Sequence, residues 1–139
     1  MAVVWGHYRD ALDPEFASDV DATLGPLPDM WVVTFGRRSD AEQKVLHDRY
    51  LAGGPLAAKP GHSAHGVGLA IDCARRTAAG QLSWDTAHPA WARLWAAVRK
   101  APQLHSGHDF PPVAPADDDH IQSTKWYAVR RAMIAAGEW

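Results

Sequence analysis

The stretch that decides the reading is KPGHSAHGVGLAIDCAR, Lys59 to Arg75. It holds two histidines three apart, glycines at 61, 66 and 68, and one aspartate inside an otherwise apolar run. Burying an unpaired carboxylate costs several kcal/mol or more, so Asp72 needs a partner. His65 is seven positions upstream, which spans roughly 23 Å in an extended chain. Both side chains reach one partner only if the chain reverses between them, and Gly66 and Gly68 supply the backbone freedom for that. On the strand that follows, Ala70 and Asp72 face one way, Ile71 and Cys73 the other. Asp72 can then point into a site while Cys73 packs in the core. Two readings stand side by side here: a metal site, or a glycine-rich hairpin with a capping aspartate.

Working outward, GVGLAIDCA is expected to be a strand entered through glycines after a loop over 53–66. Upstream, Asp13-Pro14-Glu15 opens a helix that ends by Gly25-Pro26, and Met30–Phe35 reads as a buried strand. Ser39 and Glu42 stand at capping-box spacing and start a helix that ends at Gly53-Gly54. Ala41, Val45, Leu46 and Leu51 give that helix an expected core-facing side. Downstream, a helix is predicted from about His88 to Lys100 with Trp91, Leu94, Trp95 and Val98 on one face. QLHSGHDF, residues 103–110, follows as a short strand and turn. Residues 111–119 read as loop, HIQ (120–122) as a short strand, and residues 123–137 as a final amphipathic helix that carries Trp126 and Tyr127. The absence of a strict βαβ rhythm predicts an α+β fold.

Length and composition bound the function. The chain has 139 residues, 47% of them hydrophobic and 22% charged, which fits one domain over residues 1–139 able to bury a core. A net charge of −2 gives no basic field and disfavours nucleic acid as a partner. The single cysteine excludes an intrachain disulfide and any multi-cysteine metal site. No stretch reads as a signal peptide or membrane span, so synthesis in the cytoplasm without membrane insertion is expected.

Eight histidines are present, and His120 stands apart from most of them by its context, DDDHIQ. One reading is a solvated acidic loop. The other is a third metal ligand with a carboxylate beside it, Asp117, Asp118 or Asp119, to handle protons. Two histidines and one carboxylate make a tetrahedral zinc site whose fourth position is open to water, the mark of a catalytic zinc.

SAHGVGLAID, residues 63–72, resembles the S-x-H-x-x-G-x-A-x-D motif of zinc D,D-carboxypeptidases and endopeptidases that act on peptidoglycan, among them the VanY-like peptidases and the phage L-alanyl-D-glutamate endopeptidase endolysins. GRRSDAEQ, residues 36–43, is similar to that family's G-x-R-S-x-x-x-Q segment, and DDDHIQ to its D-x-x-H. LHSGHDF sits where related endolysins have a tryptophan-rich turn, with His105 in place of a tryptophan. The resemblance covers about residues 30–123.

It implies a hedgehog/D,D-peptidase-like fold, a small, mostly antiparallel sheet flanked by helices. It also implies one catalytic Zn²⁺ held by His65, Asp72 and His120. Asp117 would be the general base, with Asp118 and Asp119 as competitors, and Arg38 would stabilise the oxyanion or hold a substrate carboxylate. Ser63, Arg37, Gln43, His105 and His108 are the further candidates for contact with substrate, Gln43 chiefly as a support for Arg38 or the loop. His62 is expected to be a bystander.

The implied partner is the stem peptide of bacterial peptidoglycan, and the protein is expected to be monomeric. It would act on the cell wall after release through a holin-type pore. A D-alanyl-D-alanine carboxypeptidase with the same site, and a non-catalytic zinc-containing wall-binding module, are the alternatives.

Overall fold

Caps named in the sequence start the first two helices. The computed structural model describes residues 3–111 and 116–139. Helix α1 (Pro14–Leu24) begins at Asp13, whose carboxylate accepts from the Phe16 amide at 3.0 Å. In α2 (Asp40–Leu51), Ser39 and Glu42 form both halves of the capping box, each bond 3.1 Å long. Pro89 opens α3 (Pro89–Lys100) behind a His88 cap, and α4 (Lys125–Ala135) closes the order.

The strands are β1 (Trp31–Phe35), β2 (Ala70–Arg76), β3 (Leu82–Ser83), β4 (Leu104–Ser106) and β5 (His120–Ser123). They form one sheet in the order β1-β2-β5-β4, with β3 added to the far end of β2, and every strand pair is antiparallel. The α+β expectation and the small antiparallel sheet are both present. Among the described residues, no helix is long and apolar enough to cross a membrane.

The core lies on one face of the sheet. Val33, Ile71, Cys73 and Ile121 meet Phe16, Val20 and Leu24 of α1 and Trp91, Leu94 and Val98 of α3. At its centre the Trp31 and Trp91 rings meet edge to face, 4.9 Å apart, a geometry favoured by the ring quadrupoles. Strand alternation then sends Asp72 and His120 to the opposite face, the face on which the site is built.

Three expectations need correction. The strand predicted from Gly66 starts at Ala70. Residues His65–Val67 are a single 3₁₀ turn, ended by Gly68 at φ +73°. A Cβ at Gly68 would stand 3.1 Å from the Ala11 carbonyl oxygen, so only glycine lets the turn lie against the segment that precedes α1. Second, α2 has no core-facing apolar side. Val45 and Leu51 are 51% and 69% exposed, Ala41 is exposed, and the one buried residue of the helix is Gln43. The helix is fastened by polar bonds beside the site instead of by packing on the sheet. Third, Trp95 is only half buried, with its ring stacked on His108, whereas Trp91, Leu94 and Val98 are core. Of the loop predicted over 111–119, residues 112–115 lie outside the described residues.

Candidate metal centre

The reversal that the glycines permit is built from short hydrogen-bonded steps. Ser63 accepts twice, through Oγ from the His65 amide at 3.2 Å and through its carbonyl from the Gly66 amide at 3.0 Å. The Leu69 amide then closes back onto the Ala64 carbonyl at 2.9 Å. This turn brings His65 over the strand that carries Asp72. At the other edge of β2, Asp72 is the register partner of His120 on β5.

The three donors converge on one point. His65 Nε2 and His120 Nδ1 each lie 3.3 Å from Asp72 Oδ1, and all three atoms are within 4.8 Å of one another. Each histidine has its other ring nitrogen occupied. His65 Nδ1–H donates to the Gly36 carbonyl at 2.8 Å, and His120 Nε2–H donates to Gln122 Oε1 at 2.7 Å. A carbonyl only accepts, so the neutral rings must turn their lone pairs toward Asp72. Outer partners of this kind are how metal-binding histidines are oriented. Two buried nitrogen donors and one carboxylate oxygen suit zinc. The register of β1 on β2 shifts between Val33 and Phe35, just before Gly36.

The charges support the same arrangement. Burial opposes ionisation of Asp72, but the His120 and His65 imidazoles that face it prevail and hold its carboxyl well below the usual carboxylate range. Burial also works against a charge on His120, and Asp72 more than offsets it, so the imidazole is raised above its ordinary value. Asp119 is pushed up to about 7 by burial and by the neighbouring Asp72 and Asp117 carboxylates.

The three consecutive aspartates separate by orientation. Asp117 is exposed at the mouth of the site, its Oδ2 3.7 Å from His120 Nδ1. Asp118 turns away. Its carboxylate accepts from His108 Nδ1 at 2.7 Å, and its carbonyl accepts from Trp95 Nε1 at 2.9 Å, while the His108 and Trp95 rings stack at 3.6 Å. Asp119 is half buried behind Asp117, with its carbonyl on the Cys73 amide. Asp72, Asp117 and Asp119 also offer oxygens within 4.8 Å of one another.

A cleft of about 750 Å³ runs from the three donors along α2 and the 53–63 loop to Trp139. Arg38 lines it, with its guanidinium 4.6 Å over the Phe35 ring and Nη1 bonded to Gln43 Oε1 at 2.9 Å. Buried Gln43 also donates to the Ala58 carbonyl at 2.6 Å, so it ties Arg38 to the loop wall. Ser63 and His62 line the cleft as well. The His62 ring stacks on Trp139 at 4.3 Å and donates to the Glu138 carbonyl at 2.9 Å.

Three candidates from the sequence stand elsewhere. Arg37 is exposed and borders a separate shallow concavity with Ala11, Asp40 and Gly66. His108 is held by Trp95 and Asp118, and His105 Nδ1 is bonded to the Tyr127 hydroxyl.

Sequence reading missed Gln122 and Gly107. The H-x-Q spacing on a strand was the signal for Gln122, since it places both side chains on one face. Gly107 is required by close approach. A Cβ there would stand 2.9 Å from both Asp117 Cβ and His120 Cβ and would collide with the Asp117 carbonyl. Nothing local in the sequence announces that contact.

No family model matches the chain, and no curated protein matches its sequence. Solved structures do. The L-Ala D-Glu endopeptidase ChiX of Serratia marcescens superposes with a TM-score of 0.66 at 20% identity, over 91% of this chain and 94% of that one. The vancomycin-resistance D,D-dipeptidase VanXYg, bound to a D-Ala-D-Ala phosphinate analogue, gives 0.61 at 17% identity over 91% of this chain and 55% of that one. The LD-carboxypeptidase LdcB gives 0.61 at 18% identity, over 87% and 64%. All three are peptidoglycan or D-Ala-D-Ala peptidases by name, and the chain has the fold of these D,D- and L,D-peptidase-like enzymes.

Proposed function

We propose that the chain is a zinc-dependent peptidase that hydrolyses an amide bond in the stem peptide of bacterial peptidoglycan, with L-alanyl–D-glutamate as the expected bond. One observation carries the reading. His65 Nε2, Asp72 Oδ1 and His120 Nδ1 face one another within 4.8 Å on a fold shared with peptidoglycan peptidases. Those residues would hold Zn²⁺, which supplies Lewis-acid polarisation and brings the pKa of water near 7.

The chain's own groups would do the rest. Asp117 takes a proton at its carboxylate and returns it to the leaving amine, and Asp119, with its raised pKa, shares that proton from behind. Arg38 supplies a fixed positive charge for the developing oxyanion or a substrate carboxylate. Gln43 keeps its fork in place. The cell wall is the place of action under this reading.

The deciding experiment is digestion of purified peptidoglycan followed by mass spectrometry of the products, alongside zinc analysis. New amino-terminal D-glutamate supports the endopeptidase. Loss of a single D-alanine makes the chain a carboxypeptidase with the same site. Zinc retained without any hydrolysis leaves a wall-binding module. Lysis that survives chelation, or replacement of both His65 and His120 by Ala, overturns the mechanism.

A further inference from the structure

The face of the sheet that carries the metal donors carries one more polar side chain that is almost wholly buried. Gln122 is 5% exposed and lies two residues along β5 from His120, so both leave the strand on the same side. His105 on β4 is the register partner of Gln122, as Asp72 on β2 is that of His120. The four residues form a polar stripe across three strands, and Tyr127, in the first turn of α4, brings its hydroxyl onto it.

The hydrogen bonds along the stripe run in one direction. His120 Nε2–H donates to Gln122 Oε1 at 2.7 Å, and Gln122 Nε2–H donates to Tyr127 Oη at 3.1 Å. The tyrosine hydroxyl is then left to donate to His105 Nδ1. Turning the amide over would set its NH₂ against His120 Nε2, which would then carry the lone pair, and would move the ring proton to Nδ1, the atom that faces Asp72. The Tyr127 hydroxyl holds the far end of the amide, and the orientation of the amide decides which nitrogen of His120 carries the proton. With Nε2 protonated, the lone pair sits on Nδ1, the atom 3.3 Å from Asp72. His65 receives the same instruction from the Gly36 backbone carbonyl. Only His120 depends on a side chain for it.

We propose that Gln122 is the positioning residue that locks His120 as an Nδ1 metal ligand, with the Tyr127 hydroxyl holding the far end of its amide. The proposal rests on the zinc reading of His65, Asp72 and His120. Gln122 holds no metal in it and acts only through the ring of His120.

The test compares the wild type with Gln122→Leu, Gln122→Glu and Tyr127→Phe. Zinc affinity is measured by competition with a chromophoric chelator, and the His120 tautomer by long-range ¹H–¹⁵N correlation, with and without zinc. Wild type should show His120 protonated at Nε2 in both states. Q122L should lose that single tautomer and bind zinc about 10–100-fold more weakly, the usual effect of removing an outer-shell partner. Y127F should move the same way by less, and Q122E, which keeps the acceptor, should stay near wild type.

Zinc affinities within twofold of wild type in both Q122L and Y127F, with His120 still protonated at Nε2, overturn the proposal. Should Q122L fail to fold, Y127F, which deletes one half-buried hydroxyl, decides. Wild type that binds no zinc would fail the metal reading, while the zinc-free spectra would still report whether Gln122 sets the tautomer.

Discussion

Asp72 and His120 are register partners on adjacent antiparallel strands, and Asp72 Oδ1 lies 3.3 Å from His120 Nδ1. Two of the three donors are therefore spaced by the sheet backbone itself. Only the third, His65, depends on a turn, and it meets the same Asp72 oxygen at 3.3 Å. Donors set on rigid elements lose little freedom when an ion binds. The carboxylate at the centre does double duty, since it faces both imidazoles.

Asp72→Asn keeps the shape of the side chain and removes its charge. Zinc affinity should fall by more than the roughly 10–100-fold typical of an outer partner, with the fold retained by circular dichroism. A variant that still carries stoichiometric zinc through dialysis against a moderate chelator would take Asp72 out of the ligand set.

The aspartate triplet gives a second test. Asp117→Asn should lower kcat by about 10²–10⁴-fold, the range for loss of a general base, while zinc content stays at the wild-type level. Asp118→Asn weakens the bond to His108 and should cost far less, because that carboxylate is taken up by His108 and not turned toward the three donors. A larger loss of kcat in Asp119→Asn than in Asp117→Asn would move the base to Asp119.

Gly107 lets the 104–109 turn pass directly beneath Asp117. Gly107→Ala adds a methyl group 2.9 Å from Asp117 Cβ and His120 Cβ, contacts that must be relieved by moving backbone. Overpacking of this kind costs about 1–3 kcal/mol, read as a lower urea midpoint. Activity should fall further than stability explains, since the displaced atoms belong to Asp117 and His120. Unchanged stability and kcat in G107A would mean that the turn has room to spare.

The caps of α1 and α2 and the order of elements were legible in the sequence because each is a local signal, and the grouping of His65, Asp72 and His120 was expected from the resemblance of their motifs. The glycines predict the turn, Ser39 with Glu42 the start of α2, and alternation the outward face of Asp72. The role of α2 was not legible. Its apolar residues at 41, 45, 46 and 51 read as a core face, yet what holds the helix is buried Gln43, bonded to Arg38 and to the Ala58 carbonyl. Those partners sit on either side of α2 in the sequence, and no periodicity encodes them.

That difference is measurable. Val45→Lys and Leu51→Glu should each change unfolding free energy by less than about 0.5 kcal/mol, as for surface sites. Gln43→Leu removes the bonds from buried Gln43 to half-buried Arg38 and to the Ala58 carbonyl and should cost about 0.5–1.5 kcal/mol for each bond. A strongly destabilised V45K would restore the packed-helix reading.

The same residues make opposite predictions for stability and for metal binding as pH rises. His120 has a folded pKa raised above 6.5 by Asp72, so its stabilisation is complete below about 6.5 and is lost as pH climbs through the raised value. Asp119, raised from 3.8 to about 7, acts with the same sign, its share being lost between those two values. Asp72 is depressed, so its contribution is present above 3.8 and disappears only in stronger acid. Protein kept free of zinc by a chelator should therefore be less stable at pH 8 than at pH 6. Zinc binding must expel the His120 proton, so apparent affinity should rise over the same interval. Urea titrations with chelator present read the first trend. Calorimetry in buffers of different ionisation enthalpy reads the proton released in the second. Asp119→Asn should flatten the stability curve between pH 4 and 7 and leave the fall above 6.5 in place. Zinc-free protein that gains stability from pH 6 to 8 would mean that His120 is not held protonated by Asp72.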